Sequence, residues 1–511
     1  MQETRGHCLI GLDAGTTSVK GVLVASDGRV LAVAREDYTL ETPDADICEL
    51  EASVYWDRTR RVLSALLQEG GIPPEEVRAL AFSSQGETFI PVDAAGRPLR
   101  KAIVWLDNRS RREAGEIEER FGREQVQQVT GQPEVLPIWP ATRILWMRRH
   151  EPQLFKRVHK FLLLPDYLVY RLTGKYVTEH SIVSSTLYFD FRRKEWWGEM
   201  LDFLGIDAGR LPALQPPGVA VGRLTGEAAR QTGLHPSTLV VTGAYDHPAG
   251  AIGAGNIEAG IVTETTGGAM AMCVTLDRPV TGPAVNLPCH CHAVPDKYFL
   301  LPYGQTAGMV LRWFRDNFFH DEASLALREG RDPYDVMTQQ AAAVPPGAGG
   351  LVMLPHLMGT GSPEFDSHAR GVFYGVTLKT TRAHFVRAIL EAVACMIRAN
   401  TEALPATLPP LREMRVLGGG AGSALWNQIK ADMLGIPVIT LRNREAASLG
   451  AAILAGVGSG VYEDIRQGVA QVVKEGKTFY PDRDNHNIYT EVYRKYRELY
   501  QHNRPLWEKD F

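Results

Sequence analysis

Long apolar runs, cysteine and surplus charge are all scarce in this chain, and each scarcity removes a class of protein. No stretch approaches the roughly 18 unbroken apolar residues that a membrane-spanning helix needs, so no membrane partner is expected. Six cysteines among 511 residues (Cys8, Cys48, Cys273, Cys289, Cys291 and Cys395) are too few for a disulfide framework. They suit a reducing compartment, and a cytoplasmic protein is expected. The opening residues carry Glu3, Arg5 and His7 without an apolar core, which argues against a secretory leader. Lys plus Arg number 55 against 59 Asp plus Glu, a net charge of −4. That balance leaves no basic surplus to neutralise a phosphate backbone, so nucleic acid is not an expected partner either.

What is present is ordinary globular material, long enough for two large domains or three ordinary ones. An apolar run over residues 8–12 ends at Asp13, passes through Gly15-Thr16-Thr17-Ser18 and resumes over 19–25, the pattern of a β-hairpin with a polar turn. A second such pattern enters through residues 260–264, turns at Thr265-Thr266-Gly267-Gly268 and leaves through 269–274, so the chain reads as two related halves. Helical patterns at 54–68 and 384–402 are followed by apolar strands at 77–83 and 415–417, an alternation that predicts α/β domains. The small residues 249–255 read as a hinge between the halves. Tyr489, Val492, Tyr493, Tyr496, Leu499 and Tyr500 share one helical face, a docking stripe for a terminal helix.

Several short patterns bear on chemistry. A Gly/Thr turn with a carboxylate at its base can hold phosphate oxygens while Asp13 holds a cation. Two such turns facing each other across a cleft could grip one nucleoside triphosphate. Gly418-Gly419-Gly420-Ala421-Gly422-Ser423 ends a strand and opens a helix, which lets backbone approach a flat ligand beside free N–H donors. Ser423 stands where a dinucleotide fingerprint needs its last glycine, and Gln471 stands where a P-loop ending at Gly476-Lys477-Thr478 needs its first, so neither motif is present. Cys289, His290, Cys291 and His292 alternate along a strand with two ligands per face, a poor zinc set. Asp246 follows the apolar strand 239–241 and precedes small residues; a general base there could take a proton from a substrate hydroxyl, or the acid could merely cap the next helix.

Together these pieces resemble the FGGY family of carbohydrate kinases over essentially the whole chain. The most specific are residues 371–376 followed by 384–391, the turn 418–423 with Trp426-Asn427-Gln428 and Ala431-Asp432, the opening 12–20, residues 164–174, and Cys291-His292-Ala293. The resemblance implies an α/β protein of two actin-like (ribonuclease H-like) domains with a central cleft. These are an N-terminal sugar-binding and catalytic domain over 1–252 and a C-terminal nucleotide-binding domain with a terminal helix over 253–511. It implies a kinase that moves phosphate from ATP, with Mg²⁺, to a hydroxyl of a small sugar or polyol. By the same resemblance Asp246 is the catalytic base, and Asp13 with Asp246 holds the metal. Gly15, Thr16, Thr17 and Lys20 form the first phosphate hairpin and Thr266, Gly267 and Gly268 the second. Gly308 and Arg312 lie in a further nucleotide segment, and Gly419, Gly420, Ser423 and Asn427 form the adenine wall. Gln85, Gly86, Glu87, Asp107, Trp139 and His247 are the expected substrate contacts.

Departures from the family bear mainly on substrate. Gly268 replaces a usual threonine, and Arg143 replaces a lysine. Gly86 stands where glycerol kinases carry arginine and Ile138 where they carry tyrosine, which disfavours glycerol. Trp105-Leu106-Asp107-Asn108-Arg109 resembles a sugar-kinase segment and leans the expectation towards a ketopentose such as xylulose, with another ketose or polyol behind it. A non-catalytic, nucleotide-dependent sugar-binding regulator is the competing reading. Gly268 favours it, and the two acids Asp13 and Asp246 speak against it. A homodimer is one permitted assembly, twofold dimers being the commonest.

Overall fold

In the computed structural model, which describes residues 7–282 and 285–510, the chain folds into two compact units, neither continuous in sequence. Glu3 and Arg5 of the opening segment lie outside the described residues. The first unit takes Met1–Glu258, Thr275–Leu300 and Glu445–Val473; the second takes Ala259–Val274, Leu301–Arg444 and Lys474–Phe511. Both carry a mixed sheet with helices against it, the expected α/β class.

The first unit's main sheet runs Ala220–Arg223, Leu239–Val241, Val77–Ser84, Cys8–Ala14, Ser18–Ala25, Val30–Asp37, with Ala244–Tyr245 also beside Val77–Ser84. Leu9, Ile10, Leu12, Leu80 and Phe82 are all buried, since strands covered on both faces read as continuous apolar runs. One cover is the helix Ala52–Gly70, which turns Tyr55, Val62, Leu63 and Leu66 into a shared core with Ile10 and Leu12. The other is Ala446–Gly458, whose Leu449 and Ile453 cluster with Leu9, Val22 and Ala81. Register then positions the site. Cys8–Ala14 pairs in parallel with Val77–Ser84, setting Asp13 beside Ser83, and Ala244–Tyr245 pairs in parallel with the same strand. Parallel strands end at one edge, so Asp13, Gln85 and Asp246 emerge together, where ligands of open α/β sheets are bound.

The small residues do a different job from the hinge expected of them. Most of the run lies inside the helix Asp246–Gly253, and Ala249 to Gly253 are buried. A Cβ on Gly253 would stand 1.8 Å from the Ala446 carbonyl oxygen, and one on Gly450 1.9 Å from that of Ala249. The glycines therefore let two helices of the same unit meet backbone to backbone.

In the second unit the strands run Met270–Leu276, Ile261–Thr266, Glu413–Leu417, Val438–Leu441, Glu475–Phe479, with Tyr303–Gly304 beside the first. The terminal helix Arg483–Asp510 docks its aromatic stripe as its periodicity predicts: Tyr489, Val492, Tyr493, Tyr496 and Tyr500 are buried and Leu499 half-buried. The buried Tyr489 hydroxyl accepts from Arg387 (2.5 Å) and donates to Glu391 (3.1 Å), which satisfies its polar tip. Among the described residues no helix is long and apolar enough to cross a membrane.

Gly450→Ala tests the helix contact. Overpacking of this kind costs roughly 2–3 kcal/mol, and a melting temperature lower by about 5 °C is expected. A variant that melts with the wild type contradicts the assignment.

Candidate active site

In the first unit, Asp13 ends its strand with one carboxylate oxygen accepting from the Ser83 hydroxyl at 2.7 Å. Asp246 is the first residue of the helix Asp246–Gly253. About a third of its side chain is exposed (36%), its Oδ1 has no partner, and the His247 Nε2 lies 3.7 Å from that oxygen. Burial, then the nearby Asp246 charge, pushes Asp13 up to about 6. Burial raises Asp246 as well, against the opposing pull of His247.

Next to these acids the loop of Gln85, Gly86 and Glu87 is tightly constrained. Glu87 is buried, holds a positive φ of 56°, and leaves its Oε1 unpartnered. Burial, with a smaller push from Asp246, raises it to about 8. Both amide atoms of the buried Gln85 also lack partners. Gly86 lies under the Tyr245 ring: a Cβ there would sit 2.9 Å from it. Unpaired buried polar groups are expensive, and a cluster of them beside raised carboxyls marks a place for a polar guest.

One residue holds this loop, the arginine that stands in place of the family's lysine. Arg143, fully buried on the helix Pro140–His150, donates to the carbonyls of Glu87 (2.5 Å), Val104 (2.9 Å), Trp105 (3.0 Å) and Asp107 (3.2 Å). Burial lowers it to about 10, so it remains a cation at neutral pH.

Two expected substrate contacts are engaged elsewhere. Asp107 was read as a hydroxyl ligand, but it is fully buried. Its oxygens accept from the Cys48 and Arg109 amides and twice from the Arg109 guanidinium, which fills a carboxylate's four acceptor positions. It braces the loop and has nothing left for a sugar. Trp139 is buried and spends its indole N–H on the Glu134 carbonyl (3.0 Å), leaving only its ring to a ligand. In the phosphate hairpin Thr16 accepts from the Trp105 indole (2.9 Å), Thr17 is exposed, the Gly15 carbonyl accepts from Tyr38, and Lys20 pairs with Glu445 at 3.2 Å.

In the second unit a cavity of about 570 Å³ gathers Thr266, Gly267, Gly268, Gly308, Arg312, Gly419, Gly420 and Ser423. Asn427 is not among its lining residues. It lines a neighbouring cavity of about 250 Å³ and donates to the Ala421 carbonyl, which fixes the glycine turn. Ser423 caps the helix Ala424–Leu434 by accepting from the Trp426 amide. Thr266 does not offer its hydroxyl outward: it donates to Glu264 and accepts from Lys430 (2.9 Å), within a fully buried Lys430–Glu264 pair at 2.5 Å. The Gly308 N–H is likewise spent, on the Gly267 carbonyl (3.0 Å). A Cβ at Gly268 would rest 3.6 Å from the Met309 Cε, so the loss of the usual threonine answers no steric demand.

Magnesium fits the first unit's acids. Two neighbouring carboxyls, Asp13 raised by burial and by Asp246, and Asp246 with an orphaned oxygen, carry negative charge that a hard divalent cation would neutralise. No group of three or more metal-ligating side chains occurs among the described residues, so a Mg²⁺ held there would take further oxygens from water and phosphate.

Residues 8–253 match the N-terminal domain, and residues 260–459 the C-terminal domain, of the FGGY family of carbohydrate kinases. The xylulose kinase of Bacillus subtilis (strain 168) is 30% identical over 501 residues, 98% of this chain and 97% of its own length. A gluconokinase of the same organism is 31% identical over 449 residues, 87% of this chain and 86% of its own. The ligand-bound xylulose kinase structure from Lactobacillus acidophilus superposes with a TM-score of 0.90 at 24% identity, covering 99% of this chain and all (100%) of that one, a likeness of fold.

The raised Glu87 carboxyl has a measurable consequence. Its value moves from the ordinary 4.5 to about 8, so between those pH values the folded chain keeps a proton that the unfolded chain has lost. Stability contributed by this residue therefore falls as pH rises through that window. Glu87→Gln should melt with the wild type at pH 5 and above it at pH 9; a difference that does not change with pH contradicts the burial argument.

Proposed function

The chain belongs to the FGGY family of carbohydrate kinases and is an ATP-dependent sugar kinase, and on that premise we propose that it phosphorylates a neutral ketose, a ketopentose such as xylulose, with Asp246 as the base. The observation that carries this reading is the pairing of Asp246, part-exposed and with an unpartnered oxygen, with Asp13 at one sheet edge. A carboxylate raised above its ordinary range takes up a hydroxyl proton more readily than an ordinary one.

Electrostatics favours a neutral acceptor over an acidic one such as gluconate. Asp13, Asp246 and Glu87 lie close enough for Asp246 to raise the other two. Nearby cations are committed: Arg143 to backbone carbonyls and Lys20 to Glu445. A substrate carboxylate would meet repulsion from these acids. Hydroxyl and keto groups can instead satisfy Gln85, and a protonated Glu87 can donate to one of them. The sugar relatives named above include both substrate types, so this charge argument, rather than Asp107, now supports the ketose. With Asp107 saturated, we assign sugar contacts to Gln85, Glu87 and His247, with the ring of Trp139 and the gap over Gly86 shaping the pocket.

We assign the nucleotide to the second unit, where the glycines of 267–268 and 419–420 allow backbone to approach phosphate and Ser423 ends the adenine wall. Asp13 and Asp246 would hold Mg²⁺, which when bound would supply charge neutralisation to the transferring phosphoryl group. Aligning acceptor and donor is the protein's main remaining task, since such transfer asks for positioning more than for covalent chemistry.

Asp246→Asn should lower sugar-dependent ADP formation by about 10²–10⁴-fold while ATP still binds, and turnover near wild type would end the assignment. Across a panel, xylulose should exceed gluconate and glycerol in kcat/KM; gluconate in first place would overturn the charge argument. Because the base must be ionised, kcat/KM should fall on acidification with a midpoint above the roughly 3.9 of an ordinary aspartate.

A further inference from the structure

The nucleotide cavity of the second unit has a charge polarity of its own. At one rim stand Asp332 and Asp335, from the start of the helix Pro333–Ala342, with Tyr334 and Thr338. The same cavity is also lined by Gly419, Gly420 and Gly422, and by Arg444. A triphosphate brings several negative charges, so the acidic rim repels it and suits the hydroxyls of a ribose.

Elimination then isolates one cation. Lys430, below the hairpin, is buried and consumed by Glu264 and Thr266. Arg312 lines the cavity but leans on Asp316, one turn along its own helix, at 3.7 Å. Arg444 is exposed, lines the same cavity, and has neither a hydrogen bond nor an ion pair among the described residues. Its guanidinium lies beside the Gly422 backbone: a Cβ there would stand in ordinary contact, 3.6 Å from one nitrogen and 3.8 Å from the other. Arg444 also lines the adjoining cavity with Lys477 and Thr440, so its head has space to turn towards either side of the glycine rim. A planar fork of donors that is exposed, unpartnered and beside a glycine turn suits a phosphate group.

We propose that Arg444 is a further nucleotide-binding residue of this kinase, donating to the phosphates of the bound nucleotide from the glycine rim. It would supply near the phosphates the donors that Gly268 lacks and that Thr266 spends internally. This rests on the assignment of ATP to the second unit.

The test is isothermal titration of the full chain, as wild type, Arg444→Ala and Arg444→Lys, with ATP, ADP and adenosine. Loss of a charge-assisted contact should weaken ATP and ADP by about tenfold or more in Arg444→Ala, with part of the loss regained in Arg444→Lys and adenosine unaffected. Unchanged ATP and ADP affinities in Arg444→Ala would overturn the proposal and leave the nucleotide assignment standing. An equal loss for adenosine would overturn it too, because the residue would then be packing the base end. Failure of the wild type to bind ATP would bring down the nucleotide assignment together with the proposal.

Discussion

The loops around Glu87 and Asp107, where we place the sugar, depend on a guanidinium that has no carboxylate of its own. Arg143 is buried completely, and a buried cation is tolerated only when its donors are satisfied. Here backbone carbonyls take up both terminal nitrogens, leaving only Nε without a partner, and they come from two loops: Glu87 from one, and Val104, Trp105 and Asp107 from the other. Since each bond is charge-assisted, the two loops are held against each other in one geometry. Glu87 sits in the left-handed region at φ 56°, a conformation that costs a side-chain-bearing residue about 1 kcal/mol or more, and its carbonyl is one of those held. The brace continues outward: Arg109 binds Asp107 and Glu49, Arg100 binds Glu49 and Glu151, and both guanidinium groups lie over Trp146.

The two units use charge in opposite ways. In the first, the carboxyls of Asp13, Asp246 and Glu87 are left raised and partly unpaired, a state that costs stability and is typical of functional sites. In the second, the buried Lys430–Glu264 pair closes on Thr266, which stiffens the base of the hairpin and frees nothing for chemistry. One arrangement stores reactivity; the other keeps a ligand-facing turn in shape.

Local patterns were legible from sequence because they depend on neighbours along the chain. Both hairpins, the long helices at 52–70 and 382–402, the glycine turn after 413–417 and the aromatic stripe of the terminal helix follow from period, turn chemistry and capping. Asp246 was singled out in the same way, as an acid just past a strand. What escaped depends on partners far away. The carbonyls that engage Arg143 are 36 to 56 residues distant, and nothing in an amphipathic-looking helix announces that its arginine turns inward. Asp107 looked free because its saturation needs Cys48, 59 residues off, as well as Arg109. The small residues of 249–253 look alike in a hinge and in a close helix contact, and only the helix at 446–458 decides between them.

Substitution of Arg143 by methionine, which keeps bulk and removes every donor, probes this account most directly when sugar-dependent ADP formation and ATP affinity are measured on the same preparation. The account predicts that catalysis of sugar phosphorylation collapses while ATP binds as before, because the lost bonds hold only the acceptor loops. Sugar turnover and sugar KM close to those of the wild type would contradict it.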